Sequence, residues 1–243
     1  MSSNAIVAAI LLEEAEWCTV GNPNPSPSIH PDGGTFVHES SPPHCGWLLY
    51  VSFAQNVTLE AIQKAALATV QMNVGTWGHW QEKGSGRPQS LFAMMEQLVV
   101  GDAFTVNDKH NPSSAKPGLS MVICPQANLI SQVKRNGKSV QYHGQCDKER
   151  GHQLFDYFCR YVKALLAERE LRLQSPSFTK PSGPLAAVTA WKELVDLEQA
   201  MADTSAWGEY LLQSVTVVTG SFGKRQGLEF SSDMGPFCHT FQV

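Results

Sequence analysis

The sequence predicts an α/β fold, with mixed β-sheet, packed helices and several insertions. Three observations predict it. Apolar runs of strand length alternate with amphipathic helical segments, the C-terminal part is rich in strand-like runs, and stretches rich in Pro, Gly and Ser interrupt the pattern. Hydrophobic residues make up 42% of the 243-residue chain, which is enough for a sizeable core, and we expect a single domain over residues 1–243.

Six apolar runs predict buried strands, because each has strand length and is bounded by turn residues. They cover residues 5–12, 47–53, 119–124, 215–219, 228–231 and 237–243. Helices are predicted where apolar residues recur every three or four positions, at residues 58–73, 91–100, 147–173 and 184–202. Thr58 and Asp147 are expected to cap two of them, because their side-chain oxygens can accept the unpaired N–H groups of a first turn.

Three stretches are expected to be insertions, at residues 21–45, 84–117 and 174–212. The first is dense in Pro, Ser and Asn, which cannot hold a helix or a central strand. The second contains an apolar patch that predicts the short helix at 91–100, and the third contains the helix predicted from Pro184 onward.

The formal net charge of −4 excludes a chain-wide basic field of the kind that packages DNA, so nucleic-acid contact would need a local patch. No apolar run reaches the roughly 18 residues of a membrane span. The six cysteines include no CxxC pair, so neither a disulfide framework nor a structural metal site is expected. We therefore expect a soluble, cytoplasmic protein with reduced thiols and no partner in the membrane.

The first motif follows the predicted strand at 119–124. Pro125 has no N–H for a ladder, so the strand ends or lies at an edge there, and Gln126 and Asn128 then present amide groups at a strand end. Strand ends are common ligand sites in α/β sheets. A plain turn explains the same residues without any ligand.

The second motif places Phe222 between two glycines, with Lys224 and Arg225 beside it. Gly220 and Gly223 can both adopt a positive φ, and an aromatic ring beside cations can stack on a base while the cations neutralise phosphate. The alternative is a β-hairpin turn between strands at 215–219 and 226–230, and both interpretations can hold together.

The third motif is Gly235-Pro236 near the C-terminus. The pair offers carbonyl groups with no bulky side chain beside them, and its peptide bond can be cis or trans. A turn is again the alternative.

Together these runs resemble the D-aminoacyl-tRNA deacylase family, and the animal-type tRNA deacylase branch most of all. The resemblance covers about half of the chain. The matching segments occur in the family's order: Pro-Gln-Ala-Asn-Leu at 125–129, Val-Gln-Tyr-His-Gly at 140–144, Lys148-Glu149 with Gly151, Gly-Ser-Phe-Gly at 220–223 and Gly-Pro-Phe-Cys-His at 235–239.

The resemblance implies a deacylase-like α/β fold, a homodimer with its active site at the subunit interface, and an ester of tRNA with an amino acid as substrate. The family hydrolyses this ester as proofreading, without a metal or an organic cofactor. A cis Gly-Pro bond makes one branch D-specific. A trans bond in the animal-type branch lets it remove L-alanine from threonine tRNA.

The same resemblance assigns roles to residues of this chain. The catalytic segment would be Gln126, Ala127, Asn128 and Leu129 of one subunit. The substrate-binding residues would be Gly235, Pro236, Phe237 and Cys238 from the other subunit, with Phe222 and Gly223.

This sequence departs from the family pattern at three of its positions. The family usually has Thr at 128, Asn at 234 and Thr at 238, where this chain has Asn128, Met234 and Cys238. An amide cannot replace a hydroxyl nucleophile, whereas catalysis by main-chain N–H groups and the RNA 2′-hydroxyl would survive the change.

We expect five cations in turn-rich stretches beside the motifs to contact tRNA phosphates: Lys134, Arg135, Lys138, Lys224 and Arg225. Solvated loop charges are the alternative. Two functions stay open. One is an aminoacyl-tRNA deacylase, and the other is a catalytically inactive paralogue that keeps the fold for RNA binding or assembly.

Overall fold

A computed structural model gives the fold, and it consists of one large mixed sheet with helices packed on one face. The structure describes residues 5–21, 36–37, 45–73, 90–100, 119–130, 132–133, 136–141, 144–174, 212, 214–224 and 227–242.

Six strands form the large sheet, and two more form a separate ribbon. The strands of the large sheet are β1 (Ala5–Gly21), β2 (Phe36–Val37), β3 (Cys45–Phe53), β4 (Leu119–Pro125), β7 (Val215–Thr219) and β8 (Gly227–Gln242). The ribbon consists of β5 (Gln132–Val133) and β6 (Val140–Gln141). The order across the large sheet is β2-β1-β3-β4-β7, with β8 paired to β1. Strands β3, β4 and β7 run parallel, whereas β1 is antiparallel to β2, β3 and β8.

The two helices for which the sequence predicts a cap begin directly after the predicted capping residues, Thr58 and Asp147. Helix α1 (Leu59–Gln71) follows Thr58, whose side chain accepts the N–H of Ala61 at 3.2 Å. Helix α3 (Lys148–Gln174) follows Asp147, whose Oδ1 accepts the N–H of Arg150 at 2.9 Å. Helix α2 (Leu91–Val100) lies between them in the chain, and both α1 and α2 pack against α3.

The core lies between the helices and one face of the sheet, because successive side chains of a strand point to opposite faces. From β3 and β4 it takes Trp47, Leu49, Met121 and Ile123, all at most 1% exposed. From the helices it takes, among others, Ile62, Met94, Phe158 and Val162.

Polar side chains tie the helices to each other and to the sheet. The Nε2 of Gln63 in α1 donates to the hydroxyl of Tyr157 in α3 at 2.9 Å, and both groups are buried. Glu170 of α3 is fully buried, and its carboxyl accepts both the N–H of Ser214, at 2.8 Å, and the Ser214 hydroxyl. This contact fixes the start of β7.

The predicted strands at 47–53, 119–124 and 215–219 are confirmed, as are the helices at 58–73, 91–100 and 147–173. The strand predicted at 5–12 is present and continues to Gly21. Within the predicted insertions, β2 lies inside 21–45 and α2 inside 84–117. The helix predicted at 184–202 lies outside the described residues.

Two expectations for the C-terminus are wrong. The runs at 228–231 and 237–243 belong to one continuous strand, β8, so the segment between them is not a turn. The hairpin expected between 215–219 and 226–230 is also absent, because β7 pairs with β4 and β8 pairs with β1. Pairing with distant strands overrides the local turn signal.

Gly235 and Pro236 lie at a β-bulge of β8. Leu11 pairs with Phe237 and Glu13 pairs with Met234, so one residue of β1 stands opposite two residues of β8. A proline cannot donate to a ladder, and it is tolerated at bulges and in edge strands. Here both conditions hold, since β8 pairs only with β1 among the described strands.

We expect Glu170→Ala to lower the free energy of unfolding by about 2 kcal/mol, because the N–H and the hydroxyl of the half-buried Ser214 lose the buried carboxyl that accepts them. The matched control is Glu60→Ala, which removes an exposed pair with Lys64 and should cost about 0.5 kcal/mol or less. Urea unfolding measures both. Equal losses would contradict a stabilising role for the buried contact.

Candidate functional site

A cavity of about 380 Å³ opens where the parallel strands end. It lies between the ends of β3 and β4, the turn after β7 and the first turn of α3. Its lining consists of Val51, Ser52, Phe53, Pro125, Gln126, Ala127, Gln145, Cys146, Asp147, Lys148, Gly151, Phe222, Gly223 and Lys224. The carboxyl ends of parallel strands are where open α/β sheets bind ligands.

The segment after β4 is held in place by the strand beside it and by two side chains. The N–H of Gln126 donates to the carbonyl of Val51 at 2.9 Å. A short 3₁₀ helix follows at Ala127–Ile130. The carbonyl of Ala127 accepts the Nε2 of Gln145 at 2.8 Å and the hydroxyl of Ser52 at 3.4 Å. The Gln126 side chain is half-buried at the cavity, whereas Asn128 is exposed and outside its lining.

Gln145 reaches Ala127 because its own segment is attached to the end of β3. The N–H of Gln55 donates to the carbonyl of Gly144 at 3.0 Å, and the N–H of Cys146 donates to the carbonyl of Phe53 at 3.3 Å. These backbone bonds fix the position of Gln145, which in turn fixes the orientation of the Ala127 peptide.

One wall of the cavity is the ring of Phe222. It stacks on His152 with ring centroids 5.4 Å apart and an interplanar angle of 14°, and it also contacts Phe155. Phe222 lies in a turn, as predicted, but its ring packs inward against α3 and the core. Gly151 makes this possible, since a Cβ there would lie 2.9 Å from the Phe222 ring.

Gly223 is required by both its backbone and its neighbour. Its φ is 74°, a conformation that side chains with a Cβ rarely adopt. A Cβ at this position would also lie 2.9 Å from Cε of Lys148. The predicted positive φ of Gly223 is therefore confirmed, and it lets the Lys148 side chain cross the turn.

The cavity holds one thiol, that of Cys146, which is half-buried and lies 3.5 Å from the carbonyl oxygen of Phe53. Burial raises the pKa of the Cys146 thiol above its ordinary value. Since the thiolate is the nucleophilic form, a protonated thiol at neutral pH argues against cysteine catalysis here.

Among the described residues, no group of three or more His, Cys, Asp or Glu side chains could hold a metal ion. The helices of this part of the chain are also too short or too polar to cross a membrane.

The structure brings five of the predicted site residues together at the cavity: Gln126, Ala127, Phe222, Gly223 and Lys224. Lys138 is exposed in the loop between β5 and β6. Lys134, Arg135 and Arg225 lie outside the described residues.

The strand pairing places the backbone of Gly235, Pro236, Phe237 and Cys238 away from this cavity. The strand order β8-β1-β3-β4 puts them three strands from β4, about 14 Å away at the usual spacing. Leu12, which lies opposite Gly235 and Pro236 at the bulge, pairs with Gly46, and Gly46 pairs with Ser120. The Gly-Pro motif is therefore level with the start of β4, about 16 Å along the strands from Pro125. Within one chain, the backbones of the two motifs are therefore about 20 Å apart.

Sequence reasoning missed several lining residues, chiefly Ser52, Gln145, Cys146 and Lys148. For two of them, Cys146 and Lys148, the sequence contained an indication. Asp147 was predicted to cap a helix, and the residues beside a helix N-terminus at a parallel strand end are natural ligand contacts. Ser52 and Gln145 carry no local signal, because only tertiary pairing brings them to Ala127.

Comparisons with known proteins agree with this fold. No family model matches the chain. A Leishmania major protein described as "Putative D-tyrosyl-tRNA(Tyr) deacylase 2" is 31% identical over 127 residues, which is 52% of this chain and 58% of that protein. A solved structure described as "Structural Analysis of a probable eukaryotic D-amino acid tRNA deacylase" aligns with 98% of this chain and all of its own, at a TM-score of 0.54 and 23% identity.

The resemblance to the D-aminoacyl-tRNA deacylases is confirmed. So is the predicted fold class, since the α/β architecture matches the solved deacylase. The chain spans a little more than half the length of the Leishmania relative.

The contact between Gly151 and Phe222 predicts a coupled effect of substitution. Gly151→Ala gains about 1 kcal/mol in helix propensity. It forces the ring aside at a cost of about 1–3 kcal/mol, so the wild-type chain should lose about 1 kcal/mol in unfolding free energy. In a Phe222→Leu chain, which lacks the clashing ring atom, the loss should be smaller, because the contact of the new Cβ with Sγ of Cys146 at 3.3 Å is the tight contact that remains. An identical loss in both backgrounds would contradict the contact.

Proposed function

We propose that this protein is an aminoacyl-tRNA deacylase that hydrolyses the ester of a mischarged aminoacyl-tRNA in translation proofreading. The observation that carries the proposal is the cavity that joins Gln126 and Ala127 to Phe222 and Gly223 at the end of the parallel strands. These residues come from two separate motifs of the family pattern, and the fold of a solved deacylase supports reading them as one site.

The proposed substrate is a small aminoacyl group on the terminal adenosine of tRNA, either a D-amino acid or L-alanine or glycine on a non-cognate tRNA. A cavity of about 380 Å³ is at the small end of ligand sites. Its apolar walls, from Val51, Phe53 and Phe222, suit the faces of a nucleoside, and the amides of Gln126 and Gln145 suit its polar edges.

In the proposed reaction, water attacks the ester carbonyl, and the ribose 3′-oxygen leaves and takes up a proton. The RNA 2′-hydroxyl beside the ester activates the water, so the protein supplies no general base. Stabilising the oxyanion is then the main task. The N–H of Gln126 already donates to Val51, so the donors proposed here are the Gln126 side-chain amide and the N–H of Ala127. Asn128 and Leu129 complete the segment without lining the cavity.

The proposed active site needs two chains. Gly235 and Pro236 lie far from Gln126 within one chain, so they can meet a substrate in this cavity only from a second copy. We propose a homodimer in which Gly235, Pro236, Phe237 and Cys238 face the partner's cavity. The bulge in β8 and the absence of a further described strand beside it leave this motif on an edge of the sheet.

The remaining assignments extend the same proposal. Its tRNA contacts include Lys134, Arg135, Lys138, Lys224 and Arg225, and the protein acts in the cytoplasm. The whole chain forms one deacylase-like domain with insertions at 21–45, 84–117 and 174–212.

Single-turnover deacylation of D-Tyr-tRNA, Gly-tRNA and L-Ala-tRNA tests the activity. We expect one of these esters to be hydrolysed, and the preferred ester reports the geometry at Gly235-Pro236. Gln126→Ala should lower the rate by about 10²-fold or more, the scale of losing one oxyanion donor. Gly235→Ala should also lower the rate, because it adds a Cβ where the motif faces the substrate in the partner's cavity.

The matched control is Gln63→Ala, because Gln63 lies in α1 outside the cavity lining, and its variant should keep the rate after correction for folded protein. If no ester is hydrolysed while uncharged tRNA still binds, the protein is instead a catalytically inactive paralogue retained for RNA binding or assembly.

Mixing two inactive variants tests the shared site. Refolding equal amounts of Gln126→Ala and Gly235→Ala chains together should restore about a quarter of the wild-type rate, because half of the dimers are mixed and each has one intact site. Separately refolded samples, combined afterwards without exchange, provide the control. No restoration in the co-refolded sample would contradict a site built from two subunits.

A further inference from the structure

Two lysines from different elements meet at the rim of the cavity. Lys148 is the first residue of α3, and Lys224 follows Gly223 in the turn after β7. The Lys148 side chain lies across that turn, since a Cβ at Gly223 would be 2.9 Å from its Cε and 3.5 Å from its Nζ. Both residues are exposed and line the cavity, which places them at its rim.

Neither lysine forms an ion pair with any residue that the structure describes. Four cations elsewhere in the described residues do form ion pairs: Lys64–Glu60, Arg160–Asp156, Arg169–Glu96 and Arg172–Glu168. The acidic side chain of the cavity lining is Asp147, and its Oδ1 accepts the N–H of Arg150 as a helix cap. Among the described residues, the cavity lining therefore carries two cations against one carboxylate that is already engaged.

The position of Lys148 is unfavourable for the fold. A cation in the first turn of a helix opposes the helix dipole, and a second cation nearby adds repulsion. Residues that break a local rule in this way are expected at binding sites.

We propose that Lys148 and Lys224 form a clamp for one phosphodiester, the phosphate on the 5′ side of the terminal nucleotide of tRNA. The inference rests on the proposed function. The cavity has room for one nucleoside with a small aminoacyl group, so the RNA chain leaves through the opening, and its first charged group there is this phosphate. Lysine contacts to phosphate fix the register of a nucleic acid without reading its sequence.

The test measures the affinity of the full-length protein for two RNA probes. The first is an RNA hairpin that ends in CCA and carries alanine in a stable 3′-amide linkage. The second is identical except for a neutral methylphosphonate in place of the phosphate before the terminal adenosine. The variants are Lys148→Gln, Lys224→Gln and the two combined. The control for each single variant is Lys163→Gln, which removes one positive charge about 22 Å along α3 from Lys148.

We expect the double variant to bind the natural-phosphate probe about tenfold more weakly than wild type, with a salt slope smaller by about 0.7. It should bind the methylphosphonate probe as wild type does, because the contact is already lost there. Lys148→Gln alone should leave the melting temperature unchanged or raise it, since it removes a cation from a helix N-terminus.

Three results would overturn the clamp. They are an unchanged affinity for the natural probe, an equal loss on both probes, and an equal loss in Lys163→Gln. None of these results contradicts the proposed deacylase function if the wild-type protein still binds the natural probe. Failure of the wild-type protein to bind either probe would overturn the proposed substrate itself, and the clamp with it.

Discussion

The parallel pairing of β3, β4 and β7 is the constraint on which the rest of the structure depends. Val51 pairs with Pro125 and Ile123 pairs with Thr219, so all three strands end at the same edge of the sheet. Pro125 ends β4 because it has no N–H to offer, and the N–H of Gln126 makes the last bond to β3. The segments that leave this edge, together with the first turn of α3, enclose the cavity. Its location is therefore a consequence of strand direction and of one proline.

Much of this fold could be predicted from local chemistry. Thr58 and Asp147 are capping residues in sequence and in structure, and the apolar runs of β3, β4 and β7 have the length and composition of buried strands. The C-terminal strand could not be predicted in the same way. The Gly235-Pro236 pair is locally typical of a turn. In the structure it lies in a strand that pairs with β1, and the extra residue forms a bulge. That outcome depends on the partner strand, which local sequence does not reveal. The same competition explains the missing hairpin, because β7 completes the parallel sheet instead.

The candidate site could be predicted only in part from the sequence, for a related reason. Gln126, Phe222 and Gly223 belong to motifs with their own backbone chemistry, which makes them visible in one sequence. Ser52 and Gln145 act through a single carbonyl of Ala127, and no pattern of spacing brings them there. Lys148 belongs to a segment that resembles the family. Its proposed phosphate contact depends on a turn 75 residues later in the chain, because its side chain crosses that turn where Gly223 has no Cβ.

The described residues therefore form a cavity at the end of the parallel strands, and the Gly-Pro motif lies elsewhere on the same molecule. Gly235 and Pro236 are on an edge strand, level with the start of β4, while the cavity is at its end. An edge strand with unpaired backbone groups is a hazard for a soluble protein unless another chain covers it. In the proposed dimer, one association would both cover that edge and bring the Gly-Pro motif to the partner's cavity. Assembly and the proposed catalysis would then depend on the same surface, so a substitution in β8 could not weaken one without weakening the other.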